Sequence, residues 1–293
     1  MCWGVKMSKL SVLVIGATGN QGGAVVQALS KEHSIRTITR NPDSDKAKKL
    51  TEQGVEVLKG DFTDSDSLLK AATGMDTVYA MTTPFEAGTE AETKQGIAIA
   101  DAAKKANVGH FIFSSVASAD KKTGIPHFDS KFEVEKHIVS LDIPYTISAP
   151  VFFMDNHLSP WFLPALKEGK VKLAMPADRT LQQVSVKNIG AFVAALIERR
   201  EKVFGKRIDI AGDELTGDET ANILSKASNK EIKYEGFDPE FMRKDNADFA
   251  KMFEWFNDVG YNTNIEKLRE DYPEVKWQRL SDWAQEQDWS VLK

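Results

Sequence analysis

Over the first 150 residues, short apolar runs alternate with longer amphipathic ones, the order that builds a parallel sheet covered by helices on both faces. Leu10 to Ile15 is nearly all apolar and stops at Gly16, as a buried central strand does. Helical spacing follows from Gln21 to Leu29. Ile35–Thr39, Val55–Leu58, Thr77–Met81, His110–Phe113 and Pro144–Ser148 read as further strands. Ser44–Gln53, Ser65–Ala72, Glu90–Lys105 and Asp129–Ser140 read as the helices between them, with Asp64 and Asp129 as N-caps.

After Pro150 the pattern changes. Residues 150–185 read as irregular, because Pro150, Pro160, Pro164 and Pro176 interrupt any long helix. Asn188–Glu198 is a strongly amphipathic helix and Arg207–Ile210 another strand, and from Gly217 the chain reads as mainly helical. Phe249, Met252, Phe253 and Phe256 form one apolar helix face. The expected organisation is a first domain of residues 1–150, with 185–212 packing back onto it, and a smaller one of 151–184 and 213–293.

Composition narrows the function classes. With 293 residues, 42% hydrophobic and 28% charged, the chain is an ordinary globular protein rather than a disordered one. A net charge of −5 argues against a nucleic-acid binder. The longest apolar runs, such as Ala191–Ile197, are far too short for a membrane span. Cys2 is the single cysteine, so no internal disulfide forms and a reducing compartment is expected. Met1–Ser8 contains too short an apolar stretch for a signal peptide, with Met7 an alternative start, so the expected location is cytoplasmic, extending to the nucleus.

Gly16, Gly19 and Gly22 follow the first strand and open the first helix, separated by Ala17-Thr18 and Asn20-Gln21. The first glycine permits a tight turn, the second lets backbone approach a pyrophosphate, and the third lets helix pack closely on strand. The glycines alone are a weak signal, but the strand–turn–helix context in which they stand points to a dinucleotide-binding loop. The expected fold is therefore α/β, a Rossmann-type doubly wound parallel sheet with a smaller, mostly helical C-terminal domain. The second strand ends in Thr39-Arg40-Asn41-Pro42, with no carboxylate to hold a ribose 2′-hydroxyl. Arg40 instead offers a permanently charged fork that suits a 2′-phosphate, so NADP(H) is the expected cofactor. Asp61 either accepts from the adenine amino group or caps its loop, while Phe62 packs on the ring. Thr82 and Thr83 end the fourth strand at the usual edge of the ligand crevice.

These motifs, together with Lys94-Gln95-Gly96, His127-Phe128-Asp129-Ser130-Lys131, Phe152-Phe153-Met154-Asp155-Asn156, Met252-Phe253-Glu254-Trp255-Phe256 and Gly260-Tyr261, resemble the NmrA-like proteins over almost the whole chain. Those are atypical members of the short-chain dehydrogenase/reductase superfamily. The resemblance implies an NADP-binding domain whose cofactor also meets Arg40, Lys94, Lys131 and Phe153, Met154, Asp155 and Asn156. It further implies redox sensing in some members, through partners or oligomeric state, and quinone reduction in others.

The superfamily's dehydrogenase chemistry uses a Tyr four residues before a Lys, on one helix face. Here the partner of Lys131 at that spacing is His127. A neutral imidazole donates poorly, and a positive charge beside Lys131 is disfavoured, so His127 reads as a poor general acid. Tyr145 lies inside an apolar strand and does not replace the missing residue. Ser114 and Ser115 either polarise a carbonyl or simply line the cofactor. The candidate catalytic residues are His127 and Lys131, and without catalysis Lys131 holds the ribose hydroxyls of the nicotinamide half. The remaining histidines show no metal-ligand spacing, so no metal is expected. Phe152, Phe153, Met154, His157, Trp161 and Phe162 either wall an apolar pocket or form ordinary core. The leading expectation is a cofactor-state sensor acting through a protein partner or homodimer regulated by NADP(H). The alternative is an NADPH-dependent reductase of quinones or other small apolar carbonyl compounds, of the type lacking the catalytic Tyr.

Overall fold

A computed structural model describes residues 9–292; Met1–Ser8, with Cys2 and the alternative start, lie outside the described residues. In chain order the first elements are β1 (Ser11–Val14), α1 (Asn20–Leu29), β2 (Ser34–Thr39), α2 (Asp45–Glu52), β3 (Glu56–Lys59) and α3 (Ser65–Ala72). There follow β4 (Thr77–Met81), α4 (Thr89–Lys105), β5 (His110–Ser114), α5 (Pro126–Ser140) and β6 (Tyr145–Pro150). The chain continues through β7 (Phe152–Phe153), α6 (Leu163–Lys167), β8 (Lys170–Leu173), β9 (Thr180–Val184), α7 (Val186–Arg199) and β10 (Lys206–Ile210). It ends with β11 (Asp213–Thr216), α8 (Gly217–Ser228), β12 (Lys233–Gly236), α9 (Glu240–Arg243), α10 (Ala247–Asp258), α11 (Ile265–Asp271) and α12 (Leu280–Gln285).

The main sheet runs β10-β6-β5-β4-β1-β2-β3, and β1 to β6 pair in parallel. Strand order reverses at β1, which lies between β2 and β4, and ligands of doubly wound sheets bind at such a reversal. Alternate strand residues face opposite sides. Leu13, Ile15, Val78, Phe111 and Phe113 pack with Leu68 of α3, Ile99 of α4 and Val134 of α5. On the other face the Tyr79 hydroxyl donates to Gln21 Oε1 of α1 at 2.6 Å. There α7 crosses α1 so closely that a Cβ on Gly190 would lie 2.4 Å from the Ala24 carbonyl oxygen.

The chain divides into two compact units. One comprises the segment ending at Ser115 with Ser130–Ser148 and Ile189–Ile208; the other comprises Val116–Asp129, Ala149–Asn188 and Asp209 onward. Val116–Asp129, assigned from sequence to the first domain, belongs instead to the second unit. Within that unit β11, β9 and β7 form one small sheet, and β12 pairs with β8. Residues 150–185 are thus not irregular: Pro150 ends β6, Pro164 lies in the first turn of α6, and Pro160 and Pro176 fall between short elements.

Asp64 caps α3, accepting from the Asp66 and Ser67 N–H groups. Asp129 caps nothing, because α5 starts three residues earlier at Pro126, whose fixed φ suits a first helical position. Among the described residues no helix is long and apolar enough to cross a membrane.

At the sheet end opposite the strand C-termini, His110 is fully buried. Its Nε2–H donates to Thr146 Oγ1 at 2.9 Å, since that hydroxyl already donates to the Val203 carbonyl. Burial, helped by the charge of Arg200, pushes its pKa down to about 3, and burial lowers that of His157 too. Unfolding frees both rings to titrate normally, near pH 6.5. The stability they contribute is therefore complete above about pH 6.5 and is lost as pH falls towards the folded values, by about 1.4 kcal/mol per pH unit for each group. Urea unfolding of an Asp155→Asn variant, which lacks the carboxyl that burial raises towards this range, should show the midpoint falling steadily between pH 7 and pH 5. A flat midpoint over that range would show that neither ring is held neutral.

Candidate functional site

The C-terminal ends of β1, β2, β3 and β4 open onto one cleft. From β1 and the turn after it come Gly16, Thr18 and Gly19, and from β2 Ile38, Thr39 and Arg40. Gly60, Asp61 and Phe62 follow β3, Met81, Thr82 and Thr83 end β4, and Glu86 and Gln95 complete the lining.

The three glycines of the turn have different reasons. Gly16 has φ +77°, and a Cβ there would sit 2.7 Å from Met81 Sδ. A Cβ on Gly22 would lie 2.3 Å from the Gly16 carbonyl oxygen. Both glycines are demanded by the chain itself. Gly19 is not: its φ of −94° and ψ of 174° suit any residue, and a Cβ would meet nothing nearer than 3.4 Å. What a side chain on Gly19 would fill is the cleft. Gly19 is also the N-cap of α1, gives it no side-chain cap, and is followed by no acidic residue in the first turn. Such a helix end offers backbone N–H groups and a positive dipole to an anion. The lining therefore fits a dinucleotide pyrophosphate, with Gly19 the residue that leaves it room.

Arg40 faces the same cleft, but not alone: its Nη2 lies 3.0 Å from Glu86 Oε2, a partner the sequence reading missed. Asp61 resolves as a loop cap that also lines the cleft. Its Oδ1 accepts from the Thr63 N–H at 2.8 Å and the Thr63 hydroxyl at 2.7 Å. These bonds hold its carboxyl below the usual range, and Arg40 adds to them. Gly60 is small because a Cβ would lie 2.4 Å from Ile38 Cδ1.

Below the β4 edge lies a buried polar network. Glu92, fully buried, accepts from Thr82 Oγ1 at 3.1 Å, Ser130 Oγ at 2.5 Å and Lys131 Nζ at 2.7 Å. Lys131 also donates to the Thr82 carbonyl at 3.0 Å. Two of its three ammonium protons are thus spent on protein, and its orienting residue is Glu92. A second carboxylate, Glu135, takes the Ser115 hydroxyl and Arg207 Nε. Ser115 is therefore a structural donor, and neither it nor Ser114 is among the cleft-lining residues.

Other predicted site residues have different placements. Ala17 is buried, and Asn20 is exposed at the start of α1. The Gln21 side chain is committed to Tyr79, so only its backbone faces the helix end. Asn41 is exposed and shapes its turn, accepting from the Asp43 N–H. Lys94 points outward to Glu90 at 2.7 Å, so the cleft-lining residue of Lys94-Gln95-Gly96 is Gln95. Gly96 lets Val134 pack, since a Cβ would lie 2.6 Å from it.

In the second unit, Phe153 is half-buried and Met154 fully buried. Asp155 accepts from the Val186 N–H at the start of α7, and burial raises its pKa. Asn156 lies on the short helical turn Met154–Leu158. His127 is not left with only a lysine for company: Asp248 takes its Nδ1 and, at 3.2 Å, its backbone N–H. The aromatic segment divides between both readings. Phe152, Met154 and His157 are core, whereas Trp161 and Phe162 wall an apolar pocket with Phe249, Phe253, Phe237 and Met242.

A sequence profile described as the NmrA-like family matches residues 8–284. An NmrA-like family domain-containing protein of Dictyostelium discoideum is 33% identical over 275 residues, covering 87% of this chain and 89% of its own. Among solved structures, NmrA, a negative transcriptional regulator in complex with NAD, aligns with a TM-score of 0.81 at 19% identity, over 97% of this chain and 99% of that one. The NADPH-dependent quinone oxidoreductase of Escherichia coli, complexed with NADPH, aligns with a TM-score of 0.77 at 24% identity, over 93% and 98%.

Proposed function

The chain belongs to the NmrA-like family, and on that premise we propose that it binds NADP(H) and registers the state of the nucleotide for a partner protein or a second copy of itself. The observation that carries the binding reading is the cleft in which Gly19 leaves room at a helix N-terminus and Arg40 stands at the end of the second strand. Both structural neighbours described above hold a nicotinamide nucleotide. For the sensing role the support is chemical. Position 127 carries no phenol, and Lys131 is committed to a buried carboxylate rather than poised beside a tyrosine.

A second reading, reduction of quinones or other apolar carbonyl compounds, is favoured by one observation. Asp248 holds the His127 ring by Nδ1, which fixes its orientation and tautomer as an acid–base imidazole requires. A bound NADPH would supply the hydride; the protein's part would be to place a proton donor and exclude water.

Hydrogen exchange with and without NADPH, beside NADPH oxidation against quinones and carbonyls, separates the two. Sensing requires that the nucleotide favour one of two states. NADPH should therefore slow exchange in residues 84–88 and 150–185, with a change in self-association or partner binding. Unchanged exchange in both segments, with turnover of about 1–10³ per second on some quinone, overturns sensing in favour of the reductase.

A further inference from the structure

Among the side chains lining the cleft there is one cation, Arg40, facing two carboxylates, Asp61 and Glu86. Asp61 has a local use, closing the Thr63 turn. Glu86 has none. It stands on the short loop after β4, closed by the Gly88 N–H on the Pro84 carbonyl at 2.8 Å and released into α4 by Gly88 at φ +85°. From there it pairs with Arg40, 46 residues away in sequence. Both side chains are mostly exposed, at 71% and 63%, so the pair adds little to folding. What it does is occupy the one guanidinium of the cleft.

Resting on the nucleotide reading above, we infer that Glu86 determines specificity at the 2′ position, competing with a 2′-phosphate for Arg40 and accepting from a 2′-hydroxyl. A phosphate brings a charge of about −1.5 to −2. It gains Arg40 only by displacing Glu86, and while Glu86 stays close the two repel. A neutral 2′-hydroxyl meets no repulsion and finds a carboxylate, the partner that NAD-binding folds ordinarily supply from the end of the second strand. Glu86 supplies it from the β4 loop instead. The wild-type preference for NADPH over NADH is therefore narrower than Arg40 alone would set.

The test is titration of wild type and Glu86→Gln with NADPH and with NADH, at low and high salt. The variant should bind NADPH about two- to fivefold more tightly at low salt, with the gain shrinking at high salt. It should bind NADH no more tightly than wild type. In an Arg40→Ala background most of the NADPH gain should vanish, because the competition has lost its object. An unchanged NADPH affinity, or equal gains for both nucleotides, overturns the inference while leaving the nucleotide reading in place. Failure of wild type to bind either nucleotide overturns that reading first, and this one with it.

Discussion

Lys131→Met is expected to lower the unfolding free energy by about 3–5 kcal/mol, the cost of leaving one member of a buried ion pair unmatched. Glu92 is fully buried and Lys131 only 12% exposed in its side chain, so water cannot take over the lost charge. The Thr82 and Ser130 hydroxyls remain to Glu92 but bring no charge. The companion variant Glu92→Gln/Lys131→Met should recover most of the loss, because a neutral amide can keep both hydroxyls as partners. Chemical denaturation of the two single variants and the double variant gives the coupling directly. If Lys131→Met is as stable as wild type and only binds nucleotide more weakly, the lysine spends its charge on ligand and the Glu92 pair is incidental.

Gly22→Ala and Gly19→Ala should part company just as sharply. In the first, the new methyl meets the Gly16 carbonyl oxygen and carbon and the Ala17 nitrogen at 2.3, 2.5 and 2.8 Å. All three are backbone, with no flexible side chain to yield. A loss on the order of 3 kcal/mol or more is expected, at the upper end for overpacking. At Gly19 the backbone already suits alanine and nothing clashes, so the stability change should stay within about 1 kcal/mol, the scale of an N-cap substitution. Yet nucleotide affinity should fall at least about tenfold, since the methyl takes space at the helix end where backbone must approach phosphate. Thermal melts and nucleotide titrations read the two effects separately. A Gly19→Ala protein that binds NADPH as wild type does would mean that no ligand comes close to that helix end.

What the sequence revealed and what it concealed divide along a physical line. The turn at Gly16, Gly19 and Gly22 was legible because its requirements are local, a strand, a tight turn and a helix start within a dozen residues. Arg40 was legible for the same reason, at the end of a short strand. Its partner Glu86 was not, nor were Glu92, Glu135 and Asp248. Their contacts span 46, 39, 72 and 121 residues, and a polar residue on a helix or loop carries no mark of which charge the fold will bring to it. Lys94-Gln95-Gly96 shows the opposite: three consecutive residues on a helix point in different directions. Only Gln95 of the three lines the cleft, while Gly96 turns to Val134. For α5 the overlooked signal was Pro126, a better helix starter than the aspartate three residues on.

The strand order also sets a timetable. On the ribosome, β1 to β6 are complete when Pro150 has been made, but β10, which lies beyond β6 in the sheet, waits until Ile210. The residues between include most of a segment belonging to the other unit. At about 5–20 residues per second, β6 spends several seconds as a bare edge, its N–H and C=O groups open to any strand nearby. Helix α7, whose Gly190 fits against α1, arrives in the same late stretch. A nascent chain halted before residue 200 would therefore hold all three glycines of the turn after β1 and still lack the strand beyond β6.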